Sequence, residues 1–229
     1  MKKRAAQFVF LRWGRKRGFV IHLTSKCMRR DPLFLRNEYA GCGRWGIPLV
    51  KKQPLNLDGL SLIACSDTRA KDIPANTRKG VHFFVDDYRF HCVYTHPGKS
   101  LAKYGQYAFL LTPDFSLYAD MNPWRQMESV AKNRWCGAFW QSKGLTVIPT
   151  VSWSTPGSFS FCFDGVEEGS IVAVGMIGCK RSRANFMRGY QAMLERIRPE
   201  AVICFGEPFP EMQGNIVPVD YRASRRAVR

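Results

Sequence analysis

Seven short apolar runs, most of them breaking off in polar or glycine-bearing residues, constrain this chain most. They are Leu60 to Ala64, Val81 to Val85, Tyr107 to Leu111, Thr146 to Val151, Ile171 to Ile177, Ala201 to Phe205 and Ile216 to Val219. Runs this short and this continuously apolar suit strands buried on both faces, which occur where helices cover a parallel sheet. Two intervening segments carry a helical period. The first opens at Asn122-Pro123, an N-cap residue followed by proline at the first helical position. It aligns Trp124, Met127, Ala131, Trp135 and Ala138 and stops at Gly144. The second sets Phe186, Met187, Tyr190, Met193, Leu194 and Ile197 on one stripe and ends before Pro199. A short third helix is expected around Ser100 to Tyr104. The alternation predicts an α/β fold, a largely parallel sheet with flanking helices in a single domain. With up to seven strands the sheet is an incomplete (β/α) barrel or an open doubly wound sheet, and the reading leans narrowly to the barrel-like form.

At 229 residues the chain suits one sizeable domain. The expected division is a basic extension over residues 1–30, an α/β domain over 31–221 and an arginine-rich tail over 222–229. The net charge of +17 sits mostly at the two ends. Residues 1–36 hold eleven Lys or Arg against Asp31 alone, and the last eight residues hold four arginines and no acid. Ends of this kind suit a polyanion, most simply nucleic acid, through phosphate contacts that carry no sequence information. A solubilising role, or an upstream extension if translation starts at Met28, is the competing explanation. No apolar run approaches the roughly 20 residues of a membrane-spanning helix, and a cytoplasmic protein is expected. Eight cysteines are scattered singly with no C-x-x-C pair, which excludes the paired spacing of a structural zinc site and fits a reducing compartment.

Several stretches of the body form one recognisable set: Trp45-Gly46-Ile47-Pro48, Phe84-Val85-Asp86-Asp87-Tyr88-Arg89-Phe90, Thr112-Pro113-Asp114-Phe115-Ser116-Leu117-Tyr118, Phe139-Trp140-Gln141, Val147-Ile148-Pro149-Thr150 with Trp153, and Phe161-Cys162-Phe163-Asp164-Gly165. Gly178-Cys179-Lys180 continues it. In these the chain resembles an uncharacterised bacterial and phage family, the domain of unknown function four-four-one-seven, over roughly Asp31 to Phe205. The resemblance implies a bacterial or phage setting and brings no established activity.

In an α/β protein, ligand sites collect where parallel strands end. Asp114, Asp86 and Glu207 follow the ends of three such runs, as candidate catalytic carboxylates. Together they could act as acid and base or hold a divalent metal ion; which metal, if any, the residues do not say. An Asp in such a position also commonly caps the next helix or turn. Ser116, Gln141 and Trp153 are candidate ligand contacts, with Trp153 able to stack on a base or sugar. Trp140, on the helix, is expected in the core. Lys180, Arg181 and Arg183 precede a helix, where cations are unfavourable unless an anion binds among them, so they are candidate phosphate contacts.

Two functions are compatible with these features. One is an enzyme, or ligand-binding protein, acting on nucleic acid or nucleotides at the strand ends. The other is a non-catalytic accessory protein of a phage or mobile element that binds nucleic acid or protein. No nucleophile elbow, Walker loop, Rossmann glycine pattern or zinc-deaminase signature is present. Oligomeric state is not legible.

Overall fold

The computed structural model describes residues 25–222, 224, 226 and 227. Most of the basic extension, and Arg225 and Arg229 of the tail, lie outside them. The chain divides into two compact units, residues 1–38 and 39–229. The described part of the first holds two single-turn helices, α1 (Ser25–Met28) and α2 (Pro32–Leu35). Asp31 caps α2 by accepting from the Leu33 N–H at 2.9 Å.

The second unit begins with a small antiparallel hairpin, β1 (Gly41–Cys42) and β2 (Ile47–Pro48). There follow β3 (Leu62–Ala64), α3 (Pro74–Thr77), β4 (Gly80–His82), α4 (Cys92–Thr95), α5 (Pro97–Tyr104), β5 (Phe109–Leu111), α6 (Pro123–Ser142) and β6 (Val147–Ile148). The last elements are β7 (Val172–Gly175), α7 (Arg183–Ile197), β8 (Val202–Phe205) and β9 (Ile216–Val219). Every predicted strand run overlaps an observed strand: β4 begins one residue before its run, β9 matches its run, and the other five strands are shorter than theirs.

Strands β3 to β6 form one parallel sheet and β7 to β9 another, each in chain order. A parallel bridge between Thr150 and Ala173 joins them. The Ala173 N–H donates to Pro149 O at 2.9 Å, and the Val151 N–H donates to Ala173 O at 2.8 Å. The fold is therefore α/β, with parallel sheets and flanking helices. One face of both sheets supplies a single buried cluster that includes Leu62, Phe84, Leu111, Ile148, Ala173, Ile203 and Phe205. Strands that are not neighbours meet through it: His82 lies 4.3 Å from Phe205 between ring centres, and Phe84 stacks on Phe205 at 4.9 Å. Gly175 faces the Phe84 ring so closely that a Cβ would sit 2.8 Å from it.

Helix α6 packs against the other face of the first sheet. Trp140 is fully buried and stacks on Phe83 at 5.5 Å. The predicted stripe is only partly right, because Trp124 is exposed and the buried side includes Gln126, Asn133 and Arg134. These three donate to loop carbonyls and so anchor the strand ends. For α7 the stripe holds well: Phe186, Tyr190, Met193 and Ile197 are buried.

Candidate functional site

Beyond the carboxyl ends of β4, β5, β6 and β7 the chain leaves a cavity of about 770 Å³. Each wall segment continues a strand: Phe84 to Asp86, Asp114 with Ser116 to Ala119, Val151 to Ser154, and Ile177 to Cys179. Asn185 and Phe186, from the first turn of α7, close one side. Side chains of α6 hold the wall in place. Asn133 Nδ2 donates to Pro113 O at 2.8 Å and to Thr150 O at 3.2 Å. Gln126 Nε2 donates to Met121 O at 2.7 Å and to Tyr118 O at 3.2 Å. Asn185 Nδ2 donates to Ser154 O at 2.6 Å.

Arg134 lies beneath this wall, 1 % exposed. Its guanidinium donates to the carbonyls of Thr150 at 2.7 Å, Cys162 at 3.0 Å and Asp164 at 3.0 Å, and to Asn133 Oδ1 at 2.5 Å. Burial lowers its pKa to about 10, so it remains a cation at neutral pH.

Asp114 is partly buried in the cavity wall. Loss of hydration pushes its carboxyl up to about 7, and the neighbouring Asp87 carboxylate adds to the rise. A hydrogen bond from the Ser152 side chain and the Arg134 charge oppose it. The segment after Pro113 starts no helix, so Asp114 is not the helix cap that a post-strand Asp often is. Asp87 has the supporting role. Its carboxylate accepts from Ser116 Oγ at 2.9 Å and from the Ser116 N–H at 3.2 Å.

Of the candidate residues, the cavity gathers Asp114, Asp86, Ser116 and Trp153. Trp153 packs on Phe186 at 5.0 Å between ring centres and lies over Gly189 of α7. The cavity does not gather the rest. Gln141 sits on α6 and ties down the segment beside β2: it donates to Lys51 O at 2.7 Å and accepts from the Lys51 N–H at 3.0 Å. Glu207 and Lys180 line a second, smaller cavity of about 370 Å³ beyond β8 and β9, where they form an ion pair at 3.7 Å. Arg183 pairs with Glu211 and covers the Phe209 ring at 5.0 Å, and Arg181 is exposed. Two of the three cations expected to await an anion therefore already face carboxylates. Asp86, Asp114 and Glu207 do not converge, and among the described residues no group of three or more His, Cys, Asp and Glu side chains is placed to hold a metal ion.

The sequence reading missed Ser152, Asn185 and Cys179. Ser152 is signalled only as one of the serines flanking Trp153, Cys179 only within the stretch Gly178-Cys179-Lys180, and Asn185 by nothing in the sequence. Cys179, in the wall, is a thiol whose pKa burial raises to about 11.

The model of the family described as Domain of unknown function (DUF4417) matches residues 39–222. The chain belongs to this family. The matched span takes in every strand of the second unit and the whole cavity wall. The chain is 35 % identical over 189 residues to the Gene 1 protein of Mycobacterium phage L5, covering 81 % of this chain and 82 % of that protein. It is 37 % identical over 179 residues to the Gene 1 protein of Mycobacterium phage D29, covering 77 % of this chain and 66 % of that protein. No solved structure matches significantly. No described helix is long and apolar enough to cross a membrane.

Proposed function

We propose that this chain is a phage-type protein that binds a nucleotide or a nucleic-acid end in the larger cavity, with Asp114 moving a proton on the bound ligand. One observation carries this reading: a carboxyl group that titrates near neutrality faces an open cavity beside a half-buried tryptophan, at the strand ends where α/β proteins place ligands. A carboxyl with pKa about 7 is present at neutral pH both as acid and as base, which suits general acid–base work. Trp153 offers a ring face to a base, and Ser116, Ser152 and Asn185 offer polar atoms to a sugar or phosphate.

The sequential, all-parallel strand order and the shared inner cluster support reading the architecture as an incomplete (β/α) barrel whose carboxyl-end rim carries the cavity. A cytoplasmic setting suits the eight free cysteines, four of them buried. The basic extension, and the tail arginines other than Arg226, would add phosphate contacts to any nucleic-acid ligand.

Calorimetric titration of the full chain with nucleoside phosphates, alongside assays for nucleotide or strand hydrolysis, tests the reading. Binding should weaken in Trp153→Ala, and turnover should vanish in Asp114→Asn with binding retained. Binding without turnover would assign the alternative, a non-catalytic accessory role. Absence of nucleotide binding, or full activity in Asp114→Asn, would overturn the assignment of the cavity or of Asp114 respectively.

A further inference from the structure

The wall of the larger cavity, and the segments that adjoin it in sequence or by hydrogen bonds, carry aromatic rings that stand outside the core. Tyr88 is 75 % exposed, Tyr118 62 % and Trp124 63 %, although large rings normally seek the core. Two of the three are covered by the guanidinium of the next residue, Arg89 lying 5.4 Å from the centre of the Tyr88 ring and Arg125 5.5 Å from that of Trp124. Carboxylates steer both arginines, Asp86 reaching Arg89 at 3.7 Å and Glu128 pairing with Arg125. Arg89 and Tyr118 belong to the cavity wall itself. The first turn of α6, which bears Trp124 and Arg125, is held against Tyr118 by Gln126, whose amide reaches the Tyr118 carbonyl at 3.2 Å.

We propose that these rings form a stacking platform that leads an unpaired nucleic-acid strand to the cavity, so that the ligand class is single-stranded nucleic acid rather than free nucleotide or duplex. The proposal rests on the nucleic-acid reading of the cavity and adds where the strand lies. Two of the rings pair an apolar face with an adjacent cation, which suits a base and its phosphate together, and Tyr118 adds an exposed ring in the cavity wall itself. A net charge of +17, most of it at the two ends of the chain, favours a polyanion over a cationic partner for the protein as a whole. Only unpaired bases can offer their faces to such rings, because those of a duplex are already stacked.

The test measures fluorescence anisotropy of a labelled oligothymidylate and of a matching duplex with the full chain, in Tyr88→Ala, Tyr118→Ala and Trp124→Ala. Salt is kept at a level where phosphate contacts contribute little and stacking persists. Loss of a stacked base should weaken single-strand binding about 5- to 150-fold in each variant. Duplex binding should be weaker throughout and indifferent to the variants. Tyr88→Phe should keep the parent affinity, since it keeps the ring. Trp45→Ala, at an exposed ring outside the cavity wall, should bind like the parent. Because the rings are exposed, thermal midpoints should barely move, which separates lost binding from lost folding.

The outcomes also separate this proposal from the reading of the cavity. If nucleoside phosphates fail to bind but the ring variants still lose strand affinity, the platform stands without the cavity. If nucleoside phosphates bind and the ring variants hold the strand like the parent, or if no strand binds, the platform is overturned.

Discussion

Asp114 illustrates what a single position costs when it serves a cavity rather than the core. The unfolded chain ionises it near 3.8 and the folded chain near 7, so between these values the folded state binds the extra proton. Stability from this group is therefore greatest below about pH 4, falls as pH rises, and is lowest above about pH 7. Asp114→Asn removes that dependence. The variant should match the parent in thermal midpoint at acid pH and exceed it at pH 8, and thermal scans across pH will show whether the two curves diverge. A capping role would give the reverse, a loss of about 1 kcal/mol in the variant at neutral pH. His82 shows the opposite sense of the same physics: burial beneath Phe205 lowers its pKa to about 4, so it stays neutral and serves as a flat packing surface.

At the scale of elements, α7 and the loop bearing Trp153 are fitted to each other through one missing side chain. Gly189 lies within the helix, where alanine would ordinarily add about 0.5–1 kcal/mol. Here a Cβ would stand 2.2 Å from the Trp153 ring. Gly189→Ala should thus destabilise the protein and shift tryptophan emission. In a Trp153→Ala background the same change should become stabilising, and chemical denaturation of the four proteins resolves the sign reversal. The strands were legible because continuous apolar runs have few other uses, and α7 because its stripe is regular. Helix α6 was legible in extent but not in facing. Gln126, Asn133 and Arg134 read as solvent-facing polar residues, yet each is buried by bonding loop carbonyls, those of Asn133 and Arg134 lying 16 to 30 positions away in sequence. No local pattern records such partners. The site was legible for the same reason as the strands: Asp114, Ser116 and Trp153 directly follow them. Glu207 and Lys180 also follow strands but line the second cavity; Lys180 stands in the turn that opens at Gly178, whose φ of 77° no run of apolar residues records.

Across the whole molecule, the last described residues return to the connection after β3. Arg226 donates to both carboxylate oxygens of Asp72 at 2.6 Å and to Asp67 O at 3.0 Å, and the Ala227 N–H donates to Asn76 Oδ1 at 2.9 Å. Burial opposes ionisation of Asp72. Hydrogen bonds from Arg226, the Tyr107 hydroxyl, Asn76 and the Ile73 N–H outweigh it and hold the carboxyl well below the usual carboxylate range. Its folded pKa is depressed, so this stabilisation is intact above about pH 4 and drains away as pH falls further. Arg226→Ala should lower the thermal midpoint at neutral pH by several degrees and lose that difference in strong acid, which scans at both pH values will show. One arginine of the tail is thereby committed to the fold, which reduces the charge the tail can offer a polyanion.

That clasp joins residues 154 positions apart, and so long a span has consequences for time as well as for stability. Closing such a loop is entropically costly until the intervening strands have already drawn its ends together. The tail should therefore dock after the main folding barrier has been crossed. Interactions absent from the transition state govern how fast a protein comes apart rather than how fast it assembles. Stopped-flow measurements on Arg226→Ala should accordingly show refolding at nearly the parent rate and faster unfolding. Refolding slowed as much as unfolding is accelerated would place the clasp in the nucleus instead. On the first outcome, a contact between two side chains at the margin of the sheet acts as a latch on the lifetime of the folded molecule.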